Sequence, residues 1–487
     1  MRRVVVIGNG MVGSRFVEDL VVADAEATVT VIGKEPVGAY NRVLLSSVVA
    51  GSKSPALLSI EPGPHPRVVI KTGVAAVAIH RDRCVVEDAK GTEHPYDDLV
   101  LAAGSVARIP AIQGIADADG LIPGVFVLKD MADAQGIVAA AKGARRAVVL
   151  GAGVLGLEVA TGLAARGISV RLVHVAERLM ERQLGWEASA VAQSSLLRLG
   201  IETHVGASLL RVLTTRGRVR SVRLEDGAEV LTDLVVMCAG TIPETSLARA
   251  AGLACERGVV VDASLRTSAE HVFAIGDCAQ PPEGGRGLVA QGWEQARTLV
   301  RVLTGAGASG TALDSTADVV RVKAAGMAMV AMGVCGDFDR SDPRYRVLSL
   351  KDPEGGRYVE VVVSGGQLVG ATSIGDPDVA ATLSALYTRH LPVPHDPAQL
   401  MIRALAGGGV AATRDPEDVK DAEKVCNCNT VTAGQIRHAI DEGCGTVKGI
   451  AGATRATTGC GDCTALVEGI LACHAPKNQP ASAIKGA

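Results

Sequence analysis

The chain has 487 residues, enough for about two to four domains, and 48% of them are hydrophobic, which allows large cores. A formal net charge of −3 disfavours nucleic-acid binding, which needs a basic surface. The apolar run after Arg3 ends at Gly8, too short for a signal peptide, and no stretch approaches the roughly 20 apolar residues of a membrane-spanning helix. We therefore expect a cytoplasmic protein with no nucleic-acid or membrane partner.

The N-terminal residues have the pattern of a dinucleotide-binding unit. A short β-branched run predicts a buried strand over 3–7, and a helix over 14–22 and a strand over 28–32 follow. Between the first strand and the helix lies a G-x-G-x-x-G loop of Gly8, Gly10 and Gly13, which includes Met11. Such glycines let the backbone approach a pyrophosphate, whose charge meets the helix N-terminus.

The same pattern recurs about 140 residues later. A predicted strand over 147–150 precedes Gly151, Gly153 and Gly156, and a predicted helix over 157–166 and strand over 169–173 follow. One glycine loop of this kind is weak evidence, but two copies in the same context predict two Rossmann-like units.

An acidic side chain after the second strand of such a unit binds the ribose hydroxyls. Glu35 has this place in the first unit. His174 has it in the second unit, and the neighbouring Arg178 suits a 2′-phosphate as well as a solvated surface. The sequence therefore leaves the choice between NADH and NADPH open.

Three more predicted strands end in small-residue turns. One precedes Ala103 and Gly104, one precedes Gly240, and one precedes Gly276 and Asp277. Further along, five short β-rich runs within 317–375 predict an antiparallel meander, and a Gly-rich and then charged segment over 407–424 is typical of a flexible linker. Helical patterns over 432–442 and 464–472 complete the chain before a small, polar tail.

Four cysteines near the C-terminus form two close pairs, a C-x-C pair and a C-x-x-C pair: Cys426, Cys428, Cys460 and Cys463. Two pairs of soft thiolates suit either an iron–sulfur cluster or a structural zinc, and the spacing leaves both open. The cysteines upstream of residue 400 lack the spacing of a redox pair and are interpreted as buried packing residues: Cys84, Cys238, Cys255, Cys278 and Cys335.

Both glycine loops and the Gly276–Asp277 turn together resemble the two-dinucleotide flavoprotein reductases, in which the aspartate of that turn binds the flavin ribityl chain. The resemblance implies an α/β fold in which an NAD(P) domain is inserted into an FAD domain. It assigns to FAD Gly8, Gly10, Met11, Gly13, Glu35, Arg42, Ala103, Gly104, Gly276 and Asp277. It assigns to NAD(P)H Gly151, Gly153, Gly156, Glu158, His174 and Gly240. No side chain is predicted to be catalytic, although Glu158 would approach the nicotinamide side.

The last segment resembles the bacterioferritin-associated ferredoxin-like [2Fe-2S] domain over 426–429 and 458–463. This resemblance implies a [2Fe-2S] cluster with Cys426, Cys428, Cys460 and Cys463 as its ligands. Because no cysteine pair accompanies the FAD segments, the cluster is the expected route by which electrons leave the flavin.

A narrower resemblance covers nearly the whole chain. The runs at 40–47 and 179–184, with the terminal cysteines, are similar to the electron-input half of assimilatory NAD(P)H nitrite reductases and to the electron-transfer subunits of assimilatory nitrate reductases. Ala103, Asn41 and Glu244 depart from that pattern, which has threonine, aspartate and asparagine there. The resemblance implies a nitrate or nitrite reductase catalytic subunit as electron acceptor and leaves a homodimer open.

Two other functions remain open from the sequence. One is a ferredoxin or rubredoxin reductase that feeds an oxygenase, and the other is a redox-sensing binding protein. The resemblance further implies a domain organisation: an FAD-binding domain (1–115 and 241–312), an NAD(P)-binding domain (116–240), a β-rich domain (313–402), a linker (403–424), a helical [2Fe-2S] domain (425–474) and a disordered tail (475–487).

Overall fold

A computed structural model of the chain describes residues 2–61, 63–285, 287–306, 319–324, 326–402, 416–426, 431–458 and 463–474. The chain divides into two compact parts, an N-terminal part, Met1–Arg403, and a C-terminal part, Ala404–Ala487. Within the described residues no helix is long and apolar enough to cross a membrane.

The chain begins with a strand of β-branched residues that is buried along its last four positions. The elements up to residue 121 are β1 (Arg2–Ile7), α1 (Met11–Ala23), β2 (Ala27–Gly33), α2 (Leu45–Ala50), β3 (Val68–Thr72), β4 (Ala76–His80), β5 (Val85–Asp88), β6 (Glu93–Pro95), β7 (Asp98–Leu101), β8 (Ser105–Ala107), β9 (Ala116–Asp117) and β10 (Gly120–Leu121). Helix α1 begins at Met11, three residues before its predicted start, because the helix already includes the end of the glycine loop.

The second stretch repeats the strand–loop–helix–strand order of the first. Its elements are β11 (Val125–Val127), α3 (Met131–Ala141), β12 (Arg146–Leu150), α4 (Val154–Ala165), β13 (Ser169–Val173), α5 (Trp186–Arg198), β14 (Ile201–His204), β15 (Leu209–Thr215), β16 (Arg218–Leu224), β17 (Glu229–Leu231) and β18 (Leu234–Met237). The chain then returns through β19 (Thr241–Pro243), α6 (Ser246–Ala250), β20 (Val259–Val260), β21 (Val272–Ala274), β22 (Ala279–Gln280) and α7 (Val289–Leu303).

Two five-stranded parallel sheets organise these segments. The first has the order β21-β7-β1-β2-β3 and the second has the order β11-β18-β12-β13-β14. Each sheet has a three-stranded antiparallel companion, β4-β5-β6 in the first unit and β15-β16-β17 in the second. Both glycine loops follow the central strand of their sheet, at the carboxyl edge where open α/β sheets bind ligands. The predicted pair of Rossmann-like units is confirmed.

A two-stranded ribbon joins the first unit to the second. Strands β8 and β19 pair antiparallel, with Ala107 opposite Thr241 and Ser105 opposite Pro243. The chain therefore leaves the first unit through β8 and re-enters it through the adjacent β19. Strand β21 reaches the first sheet only after the second unit is complete.

The β-rich domain follows, with β23 (Val320–Ala324), β24 (Met327–Gly333), β25 (Arg346–Asp352), β26 (Arg357–Ser364), β27 (Gln367–Ile374) and α8 (Pro377–Thr388). All five strands are antiparallel, but their order is β23-β24-β27-β26-β25. The predicted simple meander is thus wrong at one junction, since β24 pairs with β27 rather than with β25, the strand that follows it in sequence. Buried side chains of this sheet, including Met329 and Tyr358, join the hydrophobic core of the second unit.

The C-terminal part contains β28 (Lys424–Cys426), β29 (Val431–Thr432), α9 (Ala433–Asp441), α10 (Val447–Thr454) and α11 (Thr464–His474). Helices α9 and α11 match the predicted ones, whereas α10 was not predicted. Residues 416–424, assigned to the flexible linker, are packed: Val419 is buried in the core of this part and Arg437 donates to the Pro416 carbonyl at 3.2 Å. The rest of the linker and the predicted disordered tail lie outside the described residues.

Asp88, at the end of β5, makes the stability of the first unit sensitive to acid. Its carboxylate accepts hydrogen bonds from His94 Nε2 at 2.8 Å and from the amides of Lys90 and Thr92 at 2.9 and 3.0 Å. The His94 bond, followed by these amides, lowers the pKa of Asp88 to about 2. A carboxyl group with a lowered pKa contributes stability above its unfolded pKa, and this contribution is lost as the pH falls through the folded value.

We therefore expect the free energy of unfolding to decrease between about pH 4 and pH 2, and Asp88→Asn to make this decrease smaller. Urea unfolding of the wild-type protein and of the Asp88→Asn variant at several pH values measures the two decreases. An acid dependence that is identical in the variant would contradict the assignment. Asp82→Asn, a change at an exposed residue of the preceding turn, serves as the control.

Candidate functional site

The first glycine loop has room only for hydrogen at two of its glycines. Gly8 has φ +114°, and a Cβ there would lie 2.2 Å from the Ala102 carbonyl oxygen. A Cβ on Gly13 would lie 2.3 Å from the Gly8 carbonyl oxygen. At Gly10 the nearest atom would be 3.8 Å away, on the Arg42 side chain. Gly8 and Gly13 thus pack strand against helix, while Gly10 leaves open space above the loop.

The N-terminus of α1 fits a phosphate-bearing group. Gly10 is its N-cap residue and provides no side-chain cap for the first amides. Among the described residues, Asn9 Nδ2 and Ser14 Oγ are buried without a hydrogen-bond partner. Unpaired amides and buried polar atoms at a helix N-terminus are the donors that an anionic pyrophosphate requires. Met11 begins the helix, and its carbonyl accepts from Trp293 Nε1 at 3.3 Å.

Glu35 lies just beyond β2, as the sequence predicted for a ribose-binding carboxylate. It is held in place by Tyr40, whose hydroxyl donates to Oε2 at 2.7 Å, and by an ion pair with Arg42. The Arg42 guanidinium stacks on the Tyr40 ring, 4.8 Å from its centroid. The Tyr40 hydroxyl also accepts from the Met131 amide at 2.9 Å. Arg42 therefore orients Glu35 at this edge of the sheet.

A partly buried hydrogen-bond network connects the exposed Asp277 with Lys129. Lys129 Nζ lies 2.6 Å from Ser105 Oγ, which donates to Asp277 Oδ2 at 2.8 Å. Burial lowers the pKa of Lys129, although the charge of Asp277 opposes this shift. Ala103, Gly104 (φ +73°) and Gly276 (φ +75°) form the turns on either side. Sequence patterns did not reveal Ser105 and Lys129 as site residues, because the three side chains of this network come from segments that are far apart in sequence.

The second glycine loop repeats the geometry of the first. Gly151 has φ +106°, and a Cβ there would lie 2.4 Å from the Cys238 carbonyl oxygen. A Cβ on Gly156 would lie 1.8 Å from the Gly151 carbonyl oxygen, while a Cβ on Gly153 would meet nothing within 4 Å. Gly153 is the N-cap residue of α4 and again provides no side-chain cap. Gly240 (φ +91°) lies in the turn after β18.

Two predicted nucleotide-site residues of the second unit make buried polar contacts. Glu158 is 6% exposed; its Oε2 accepts from Ser46 Oγ at 2.5 Å and its Oε1 accepts from the Lys323 amide at 2.8 Å. It thereby joins α4 to α2 and to the β-rich domain. His174, directly after β13, accepts at Nδ1 from the Ala152 amide at 3.3 Å.

In the C-terminal part, Cys426 and Cys463 are buried in one hydrophobic cluster. The Thr457 amide donates to Cys463 Sγ at 3.2 Å. Thr457 has φ +69°, a strained conformation for a β-branched residue, and this conformation accompanies the alignment of the amide with the sulfur. Buried sulfur that accepts amide hydrogen bonds is typical of iron–sulfur ligation. Cys428 and Cys460 lie outside the described residues, and within those residues no group of three or more metal-binding side chains occurs.

Residues 2–300 match the pyridine nucleotide-disulphide oxidoreductase family, more than half of the chain. The chain belongs to this family. Residues 424–473 match the BFD-like [2Fe-2S] binding domain, which decides the open question between zinc and an iron–sulfur cluster.

Curated relatives extend the likeness over both parts. The chain is 33% identical to a nitrite reductase [NAD(P)H] of Bacillus subtilis and 30% identical to the assimilatory nitrate reductase electron transfer subunit of the same organism, over 96% of its length in each case. It spans only 57% and 59% of these two relatives. Among solved structures, a ferredoxin reductase of Rhodopseudomonas palustris has a TM-score of 0.71 and 25% identity over 82% of this chain and 98% of that one.

This chain is therefore an FAD-dependent NAD(P)H oxidoreductase with a [2Fe-2S] cluster, as the sequence predicted. The glycine loops and the buried polar atoms near α1 fit the FAD pyrophosphate, and the buried Cys426 and Cys463 fit the cluster. The contacts of individual residues with FAD and NAD(P)H stay predictions.

Despite the family's name, the described cysteines form no disulfide. Burial raises the pKa of Cys278 to about 11 and that of Cys238 to about 12, so both remain thiols at neutral pH. Cys84 is exposed in a turn with φ +50°, so its interpretation as a buried packing residue is wrong. Cys238, Cys255 and Cys335 are partly exposed, so the prediction of a fully buried residue is confirmed only for Cys278 among these five cysteines.

Glu158→Gln is expected to lower the free energy of unfolding by about 1–3 kcal/mol. A glutamine can accept only one of the two hydrogen bonds, and its NH2 group would face a donor. Urea unfolding at neutral pH measures the change. Ser46→Ala, which removes one donor and leaves the Lys323 contact, should cost less, and equal stability of all three proteins would contradict the role of Glu158 in joining the domains.

Proposed function

We propose that this chain oxidises NAD(P)H and delivers the electrons to a nitrate or nitrite reductase catalytic subunit in the cytoplasm. The observation that carries the proposal is the similarity to the assimilatory nitrate reductase electron transfer subunit over 96% of this chain, glycine loops and cysteine domain included. In this proposal the nucleotide loops of residues 2–300 receive the electrons and the cysteine domain of residues 424–473 passes them on.

The residues of the site are suited to positioning rather than to acid–base chemistry. Bound FAD would supply two-electron chemistry, and a bound [2Fe-2S] cluster would supply one-electron chemistry. We infer that the α1 N-terminus holds the FAD pyrophosphate, that Glu35 holds its ribose, and that Asp277, oriented by Ser105, holds the ribityl chain. Lys129 would then offer a positive charge beside that chain.

The proposed domains follow the two sheets. The FAD-binding domain comprises 1–115 and 241–312, and the NAD(P)-binding domain comprises 116–240. The β-rich domain spans 313–402 and the [2Fe-2S] domain 425–474. The ribbon of β8 and β19 supports the two boundaries between the FAD-binding and NAD(P)-binding domains, since it marks where the chain passes from one parallel sheet to the other.

The experiment is to mix the purified chain, loaded with FAD and iron, with NADH or NADPH and the nitrate or nitrite reductase catalytic subunit of the same organism. We expect NAD(P)H oxidation that depends on nitrate or nitrite. No such dependence, in a preparation that reduces ferricyanide, would refute the proposed acceptor. Size-exclusion chromatography of the same preparation determines whether the chain forms a homodimer.

A ferredoxin reductase that serves an oxygenase is the second candidate. The similarity in fold to the Rhodopseudomonas palustris ferredoxin reductase favours it. Rapid reduction of a separate ferredoxin, together with no effect of nitrate or nitrite, would support this candidate over the first.

A further inference from the structure

The choice between NADH and NADPH depends on the residues just beyond β13. This strand ends at Val173, and His174 follows it at the carboxyl edge of the second parallel sheet. In Rossmann-like units this edge binds the adenosine ribose. An acidic side chain there accepts the 2′-hydroxyl of NAD, whereas an arginine accommodates the 2′-phosphate of NADP.

His174 orients a carboxylate towards this edge. The Ala152 amide, within the glycine loop, donates to Nδ1 at 3.3 Å, so Nδ1 is unprotonated in the folded ring. The ring proton is therefore on Nε2, which donates to Glu181 Oε2 at 3.0 Å. Through the buried imidazole, Glu181 is tied to the loop that meets the pyrophosphate.

The Glu181 side chain is 39% exposed and can still reach a ligand. Burial works against its ionisation, but the hydrogen bonds from His174 and from its own backbone amide outweigh burial, and the pKa of Glu181 is lowered. The carboxylate is therefore charged at neutral pH.

Arg178, the residue that could have received a 2′-phosphate, is engaged elsewhere. Its guanidinium donates to the carbonyls of Leu184 and Glu181, each at 3.0 Å, and pairs with Asp337. It also stacks on the Trp186 ring, 5.1 Å from the centroid. Only 12% of its side chain is exposed. A 2′-phosphate would thus meet the Glu181 carboxylate without compensation from Arg178.

We propose that Glu181, positioned by His174, supplies the carboxylate that binds the adenosine ribose, and that the protein selects NADH over NADPH. The proposal rests on the oxidation of NAD(P)H proposed above, but not on the identity of the electron acceptor. Glu181 replaces in space the acidic residue that the sequence lacks at position 174.

The test uses the full FAD-loaded chain with ferricyanide as acceptor, and calorimetric titration with NAD⁺ and NADP⁺. We expect kcat/KM for NADH to exceed that for NADPH by about tenfold or more, and Glu181→Gln to reduce this ratio by about tenfold, equivalent to about 1.4 kcal/mol. The change should appear in KM and in the dissociation constant rather than in kcat. The matched control is Glu177→Gln, which removes the same charge from an exposed position on the same loop.

Substitutions of His174 separate positioning from simple burial. His174→Gln keeps a donor for Glu181 and should retain much of the preference, whereas His174→Leu should lose it while kcat changes little. Thermal unfolding checks that both variants fold.

A wild-type preference for NADPH would overturn the proposal. So would equal effects of Glu177→Gln and Glu181→Gln on the ratio of kcat/KM for NADH to that for NADPH. The proposal would also fail if Arg182→Gln, a change at an exposed neighbour, removed the preference instead. A chain that binds NAD⁺ selectively yet shows no oxidation dependent on nitrate or nitrite would contradict only the proposed acceptor.

Discussion

Replacing Cys463 by serine is expected to abolish electron delivery to a protein acceptor while NAD(P)H oxidation by ferricyanide continues. The sulfur is buried and accepts the Thr457 amide, so a serine hydroxyl at this position would be a poor iron ligand. The loss should exceed the roughly 10–100-fold that removal of an outer-shell partner costs a metal site. Iron content, visible absorption and reduction of the catalytic partner measure it.

The matched control is Cys444→Ser. Cys444 packs at the edge of the same hydrophobic cluster but lies outside both cysteine pairs. It should retain iron and electron delivery. If Cys463→Ser kept its iron and its rate with the partner, the C-terminal part would not be the electron exit.

Gly156→Ala is expected to prevent stable folding of the second unit, with a cost of about 3 kcal/mol or more. The added methyl group would lie 1.8 Å from the Gly151 carbonyl oxygen, and because this oxygen belongs to the backbone, no flexible side chain can move aside. Thermal or urea unfolding measures the loss. An unchanged unfolding curve would show that α4 can shift away from β12.

Gly153→Ala distinguishes ligand binding from folding in the same loop. Its methyl group would meet nothing within 4 Å and its φ is −77°, so the fold should be unaffected. The methyl group would instead occupy the space in which the loop approaches a pyrophosphate. We expect an unchanged melting temperature and weaker NAD⁺ binding by calorimetry. Unchanged binding would place the nucleotide elsewhere.

The sequence was sufficient where structure is local. Both strand–loop–helix units were predicted, since the spacing of Gly8 to Gly13 and of Gly151 to Gly156 is dictated by contacts within a few residues. The fold class followed from these motifs, whereas FAD and the [2Fe-2S] cluster were implied by the family resemblances, since the spacing of the cysteine pairs alone also suits zinc.

Contacts between distant segments could not be read from the sequence. Ser105 and Lys129 form a hydrogen-bond network with Asp277, which follows them in sequence only after the inserted unit. No rule of residue spacing predicts such a contact. The pairing of β24 with β27 is equally non-local. Glu181 lies in the run at 179–184 that resembles the reductase family, but its approach to His174 depends on how the loop after β13 turns back towards the sheet.

The ribbon of β8 and β19 also brings the two ends of the second unit together. Because Ala107 and Thr241 are cross-strand neighbours, their Cα atoms are about 5 Å apart, a gap that a two-residue turn closes. Replacing residues 108–240 by an Asn-Gly turn would therefore keep the strands of the first sheet continuous, but it would expose the side chains of α2 that pack in the core of the second unit. The excised piece begins and ends at adjacent points. Adjacent ends are the condition under which one domain can be inserted into a connection of another without displacing the strands on either side.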